Sequence, residues 1–155
     1  MAAQIFKKSV EIAAPAAVVW AFHERPDALE LLTPPWMRVK VVQPPRSLAV
    51  GTRVVLRMWV GPLPLTIEAV HVAYEPGRMF ADKVEGGPFA AWLHRHIVEP
   101  TEHGARLTDD ITYSLRGGAL GQLVAGRMVE RTLTRQFEYR HAVTRRVCEE
   151  EARGR

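Results

Sequence analysis

Two histidines, His94 and His96, are separated by one residue. In an extended strand that spacing puts both imidazoles on one side, because successive side chains alternate. Trp92 and Val98 share their side, although Leu93 and Ile97 load the other side with apolar groups as well. The same parity argument joins Asp109 to Leu107, Ile111, Tyr113 and Leu115, and Asp82 to Phe80 and Val84. His71 falls in step with Ile67 and Ala69. A face that carries large apolar groups turns toward a core. His71, Asp82, His94, His96 and Asp109 are therefore predicted to meet inside the molecule.

Buried carboxylates and imidazoles need partners to offset lost hydration. One consequence is structural: His–Asp pairs that satisfy one another. A second is a polar patch in an apolar pocket, placed to hydrogen-bond a ligand oxygen. A third is catalysis, with His94 or His96 as a general base held by Asp109 or Asp82. A nucleophile is not obvious, since Cys148 falls near the end and no Ser sits in a Gly-rich elbow. His94-x-His96 with Asp82 or Asp109 imitates a two-His, one-carboxylate site, but the motif is short. No metal and no cofactor are expected.

The elements that must position these residues follow from periodicity. Gln4 to Ile12 alternates as an edge strand. Pro15 suits the first turn of a helix, giving a short helix over Ala16 to His23 with Trp20 and His23 near a pocket mouth. A second short helix covers Asp27 to Leu32, ended by Pro34-Pro35. From Met37 the period is two. Strands are expected over Met37 to Gln43, Thr52 to Val60, Leu65 to Tyr74, Met79 to Val84, Ala91 to Glu99 and Arg106 to Leu115. Their connections are short, including Gly61-Pro62-Leu63-Pro64, which demands antiparallel neighbours.

Ala119 to Val147 then reads as one long helix of roughly 40 Å. Leu120, Leu123, Val124, Met128, Leu133, Phe137, Val143 and Val147 recur at helical spacing and predict one buried stripe. Gly117 to Arg127, with Gly121 and Gly126 inside it, is expected to act as a movable gate. The fold class is α+β: a seven-stranded curved antiparallel sheet against a long C-terminal helix. A single domain over residues 1–150 is expected, with a disordered tail at 151–155.

This order resembles the START-like, or SRPBCC, superfamily with its helix-grip fold. Ala14-Pro15-Ala16-Ala17-Val18-Val19-Trp20 resembles the opening of that family. Phe22-His23-Glu24-Arg25-Pro26, with Leu29, Leu32, Thr33, Pro34 and Pro35, is similar to an uncharacterised ligand-binding branch related to polyketide cyclase/dehydrase-like proteins. Phe80-x-Asp82, Gly87-Pro88-Phe89, Trp92-x-His94-x-His96 and Leu107-Thr108-Asp109 continue the likeness. The resemblance implies a cavity between sheet and helix for a lipid, isoprenoid, quinone or polyketide-like molecule. Expected lining residues are Leu56, Met58, His71, Phe80, Asp82, Trp92, His94, His96, Asp109, Ile111, Tyr113, Val124 and Met128. The alternatives are a cyclase, dehydratase or hydrolase using the His/Asp groups, and a protein-interaction domain of co-chaperone type.

Totals narrow the partners. The net charge of +4 is spread through the chain without basic runs interleaved with aromatics, so no nucleic-acid partner is expected. One cysteine fits a reducing compartment. Without a leader-like start or a long apolar run, a cytoplasmic protein without stable membrane insertion is expected. It is expected to be a monomer or homodimer.

Overall fold

The computed structural model describes residues 3–155. Residues 1 and 2 of the expected domain lie outside the described residues. The elements are β1 (Gln4–Ile12), α1 (Ala16–Glu24), α2 (Ala28–Leu31), β2 (Val39–Gln43), β3 (Arg53–Val60), β4 (Leu63–Glu75), β5 (Met79–Gly86), β6 (Phe89–Thr101), β7 (Gly104–Leu115) and α3 (Gly118–Arg153). This is the helix-grip architecture: seven antiparallel strands with a long C-terminal helix.

The sheet order is β1-β7-β6-β5-β4-β3-β2, so the first strand closes against the last. Gln4 pairs with Tyr113, Phe6 with Ile111 and Val10 with Leu107. Strands β4, β5 and β6 run longer than alternation alone indicated. Leu63 and Pro64, expected in the hairpin connection, already pair with Val60 and Trp59. The β7–α3 junction is made by Gly117 and Gly118, at φ 87° and 57°. Residues with a Cβ rarely adopt that left-handed backbone.

Two apolar clusters divide the core. Val18, Val19, Trp20 and Phe22 of α1 pack with Phe80, Val98 and Leu107 and, from α3, Val143 and Cys148. Ile111, Tyr113 and Leu115 pack with Leu133 and Phe137. Among the elements α3 packs against are β1, β7 and α1. Trp36, just before β2, steadies its middle: Arg135 stacks 4.2 Å above that ring and Tyr139 meets it edge-on at 5.4 Å.

Two expectations about this helix are corrected. It does not end near Val147; it stays helical through Arg153. Ion pairs one turn apart support these turns, Arg145–Glu149 at 3.0 Å and Arg155–Glu151 at 2.7 Å. Glu149 also accepts the Ala13 backbone N–H at 3.0 Å. The apolar stripe is not continuous either. Leu133, Phe137, Val143 and Cys148 are buried, whereas Leu120, Leu123, Val124 and Met128 are 69%, 82%, 77% and 66% exposed. Val124 and Met128 thus stand in solvent rather than lining an interior wall.

Candidate functional site

The register across β4 to β7 carries the polar residues to one place. His71 stands opposite Asp82, Asp82 opposite His94, and His96 opposite Asp109. All lie on the face that receives α3, and α3 adds His141 from the turn after Phe137. Of the six histidines in the chain, only His103 is outside this neighbourhood, in the β6–β7 turn.

Asp109 is the hub. Its Oδ1 accepts from His94 Nε2 at 2.6 Å and its Oδ2 from His141 Nε2 at 2.6 Å. His96 Nδ1 lies 3.0 Å from Oδ1. On the other side of the two imidazoles is Asp82. His96 Nε2 donates to its Oδ2 at 3.2 Å, and His94 Nδ1 lies 4.0 Å from the same oxygen. The rings are packed without a gap: His94 and His96 centroids are 3.7 Å apart, and Phe80 stacks on His96 at 4.1 Å and 9°. Phe137 meets His94 edge-on at 5.3 Å.

Electrostatics sort these groups. Burial opposes charge on both aspartates, yet histidine hydrogen bonds outweigh it, holding Asp82 below the usual range and Asp109 well below it. Burial also opposes charge on His96, but the Asp109 and Asp82 carboxylates win and raise it to about 9. His94 is pushed down by burial and by charged His96. The same two causes lower His23 to about 4, its Nδ1 held 2.8 Å from the Val19 carbonyl. Burial lowers His71 as well. At neutral pH the centre thus holds the Asp82 and Asp109 carboxylates and the His96 imidazolium, with the Arg140 guanidinium near both carboxylates.

Access is uneven. The side chains of His94, Asp109 and His141 are 5%, 6% and 4% exposed, while His96 and Asp82 are each 13% exposed. The edge that a solute can reach therefore presents a protonated imidazole and a carboxylate. His94, neutral and oriented by Asp109 like a general base, is shut away behind them. This favours hydrogen bonding or proton donation over proton abstraction.

The remaining predicted residues are distributed as follows. Ile111 and Tyr113 are buried beside the cluster, and Trp92 and Phe89 pack against them at its far end. Leu56 and Met58 lie on the same sheet face farther out. They pair with Val41 and Val39 on one side and Ile67 and Leu65 on the other, all six only partly buried. Sequence reasoning missed His141. Its signal was its place eight residues after Leu133 and four after Phe137, on the same helix face.

Two surface grooves accompany the fold. One, of about 520 Å³, runs between β1 and α3 along Lys8, Ser9, Val10, Glu138 and Arg145. The other, of about 460 Å³, follows the charged side of α3. The first is mixed in character and reaches His141 from outside, the second is charged, and neither is lined by the β2–β4 face where a pocket was expected. No described helix is long and apolar enough to cross a membrane.

The family described as "Polyketide cyclase / dehydrase and lipid transport" matches residues 3–149, and the chain belongs to it. The Zhui aromatase/cyclase from Streptomyces sp. R1128 has the same fold, with 16% identity and TM-score 0.71 over 96% of this chain and 94% of that one. A norcoclaurine synthase point mutant from Thalictrum flavum is similar at 12% identity and TM-score 0.72, covering 97% and 96%. The di-domain ARO/CYC protein StfQ of the steffimycin biosynthetic pathway gives 16% identity and TM-score 0.74, over 97% of this chain and 52% of that one. No curated protein matches the sequence.

Proposed function

We propose that this member of the polyketide cyclase / dehydrase and lipid transport family binds a hydrophobic small molecule, of lipid, isoprenoid, quinone or polyketide-like type, on the inner face of its sheet. The observation that carries the reading is the apolar surface of β2, β3 and β4. Val39, Val41, Leu56, Met58, Leu65 and Ile67 share that face, and each remains partly open. Uncovered apolar area costs roughly 25 cal/mol per Å², so a greasy ligand laid along it gains what the fold leaves ungained. The Asp82–His96 edge ends this surface, and its partly exposed Asp82 carboxylate offers an acceptor to a ligand's hydroxyl.

The site is an open apolar trough ending at a polar edge, where the family resemblance implied a cavity between sheet and helix. Binding would close it, and the glycine-containing start of α3 is the segment able to move. Native mass spectrometry of freshly isolated protein should show a bound apolar molecule. In labelled protein, titration with a medium-chain fatty acid should shift the methyl signals of Leu56, Met58 and Ile67. Shifts confined to Leu120, Leu123, Val124 and Met128 would instead favour a protein-interaction role for the exposed helix face.

The aromatase/cyclase-like fold makes an enzymatic reading the second one, and the protonated His96 at the accessible edge supports it. Such an enzyme would use His96 as a proton donor. Turnover of a cyclisable polyketide-like substrate, lost in His96→Gln while the substrate still binds, would establish it.

A further inference from the structure

His94 stands between the Asp82 and Asp109 carboxylates, one ring nitrogen toward each. Asp109 is an acceptor only, so His94 must donate to it through Nε2. In the neutral imidazole the opposite nitrogen, Nδ1, then carries a lone pair. That lone pair faces the Asp82 carboxylate across 4.0 Å, beyond hydrogen-bond reach. A ring nitrogen and a carboxylate oxygen at this spacing, too far apart to bond each other, leave room for a cation between them.

His96 completes the arrangement. Its Nε2 lies 3.2 Å from the same Asp82 oxygen, while its Nδ1 lies 3.0 Å from Asp109. Both imidazoles thus present one nitrogen toward Asp82 and turn the other toward Asp109. Asp82, His94 and His96 each offer a ligand atom, all within 4.8 Å of one another. Spans of 3.2 and 4.0 Å lie on either side of the roughly 3.3–3.6 Å donor separation around a tetrahedral ion with bonds of about 2.0–2.2 Å. A carboxylate behind each metal-bound histidine is the arrangement that fixes ring orientation and raises ligand basicity. Asp109 occupies that position for both rings, and His141 locks its second oxygen.

A further observation points the same way. His71 stands against Asp82 in the strand register, on the same face and 5% exposed, and its Nδ1 has no hydrogen-bond partner. His71 lies outside the three donors that stand within 4.8 Å of one another, so its unpartnered nitrogen marks polar space next to Asp82 rather than a ligand of the same ion. The 13% exposure of Asp82 and His96 supplies the entry path.

We propose that Asp82, His94 and His96 bind one divalent first-row transition-metal ion, with Asp109 orienting both imidazoles from behind. Imidazole and carboxylate donors suit zinc, iron, nickel or cobalt rather than calcium or magnesium. The ion takes the place of the proton shared between His96 and Asp82. This inference stands on the cluster alone and does not depend on the apolar-ligand reading.

The test uses the full chain, stripped with a chelator and titrated with Zn²⁺ by calorimetry and with Co²⁺ by visible absorption. One equivalent should bind, with cobalt d–d bands of nitrogen–oxygen coordination. Asp82→Asn and His96→Gln should weaken binding by at least about 100-fold, and Asp109→Asn by about 10–100-fold. His103→Gln should leave it unchanged. Imidazole ¹⁵N shifts in the unsubstituted protein provide a readout that does not depend on variants folding: those of His94 and His96 should move with zinc, and that of His103 should not. Absence of saturable binding, or zinc shifts that spare His94 and His96, would overturn the proposal.

Discussion

Phe80 lies flat against His96, with ring centroids 4.1 Å apart and planes 9° from parallel. The imidazolium is therefore held by two carboxylates and by an aromatic face, which attracts a cation through its quadrupole. In ion-free protein, Phe80→Leu should lower the His96 pKa from about 9. The cation–π part is worth roughly 0.5–2 kcal/mol. NMR titration of the His96 ring measures the change; an unmoved pKa would leave the stacking without electrostatic weight.

The cluster sets the pH dependence of stability. Folded His96 titrates at about 9, above its ordinary 6.5, so its contribution is complete below pH 6.5 and is lost as pH rises to about 9. His23 acts oppositely: with a folded value of about 4, it takes its proton more readily when unfolded, and stability falls as pH drops from 6.5 to about 4. Depression of Asp82 and Asp109 below 3.8 adds a further loss at lower pH. Ion-free protein should therefore resist urea best near pH 6.5. His96→Gln should flatten the alkaline decline, and a wild-type midpoint constant from pH 6.5 to 9 would refute the assignment.

Asp109 is the structural keystone of the network. Asp109→Ala leaves three imidazoles facing an empty place, and breaking a buried charge network of this kind costs about 3–5 kcal/mol. Asp109→Asn retains the shape and one acceptor oxygen, and should cost less. Chemical denaturation of the two variants gives the order directly.

Two glycines of α3 should respond oppositely to alanine. A Cβ on Gly121 would stand 2.1 Å from the Arg116 carbonyl oxygen, so Gly121→Ala must displace backbone and destabilise. On Gly126 it would meet the Gln122 side-chain amide, which can swing away. Gly126→Ala should therefore be neutral, or stabilising by up to about 1 kcal/mol from helix propensity. If Gly117 to Arg127 moves as a gate, its amides will exchange faster than those of Leu133 to Val147. Equal rates would count against the gate.

The outer apolar face of α3 offers a test of assembly. With Leu123 and Val124 at 82% and 77% exposure, Leu123→Glu and Val124→Lys should change monomer stability by less than about 0.5 kcal/mol. If Leu120, Leu123, Val124 and Met128 are covered in a homodimer, the same changes will shift its sedimentation to that of a monomer.

How far this could be read from sequence depended on the period involved. A repeat of two has only two faces, so Asp82, His94, His96 and Asp109 could be assigned by parity together with Phe80, Trp92 and Ile111. A helix offers a full circle. Leu120, Val124 and Met128 follow one line of four-residue steps, and Leu133, Phe137 and His141 follow another. The five-residue step from Met128 to Leu133 rotates the line by about 140° at 3.6 residues per turn, which a list of recurring apolar residues conceals. His141 escaped notice for a related reason: a polar residue on a helix reads as solvent-facing unless its angle is compared with that of Phe137. The open state of the apolar trough depends on where α3 crosses the sheet, and that crossing is set by tertiary packing on β1 and β7.

The pairing of β1 with β7 constrains the order in which the molecule can form. Phe6 meets Ile111 only after about a hundred intervening residues have been synthesised, and Asp109 gains its third imidazole only when His141 follows. Until then the nascent sheet has an unpaired edge at β7 and an under-partnered carboxylate at its centre. Such long-range closure slows folding and exposes strand edges meanwhile. Release of the last turns of α3 from the ribosome is thus the step at which the domain can first become whole.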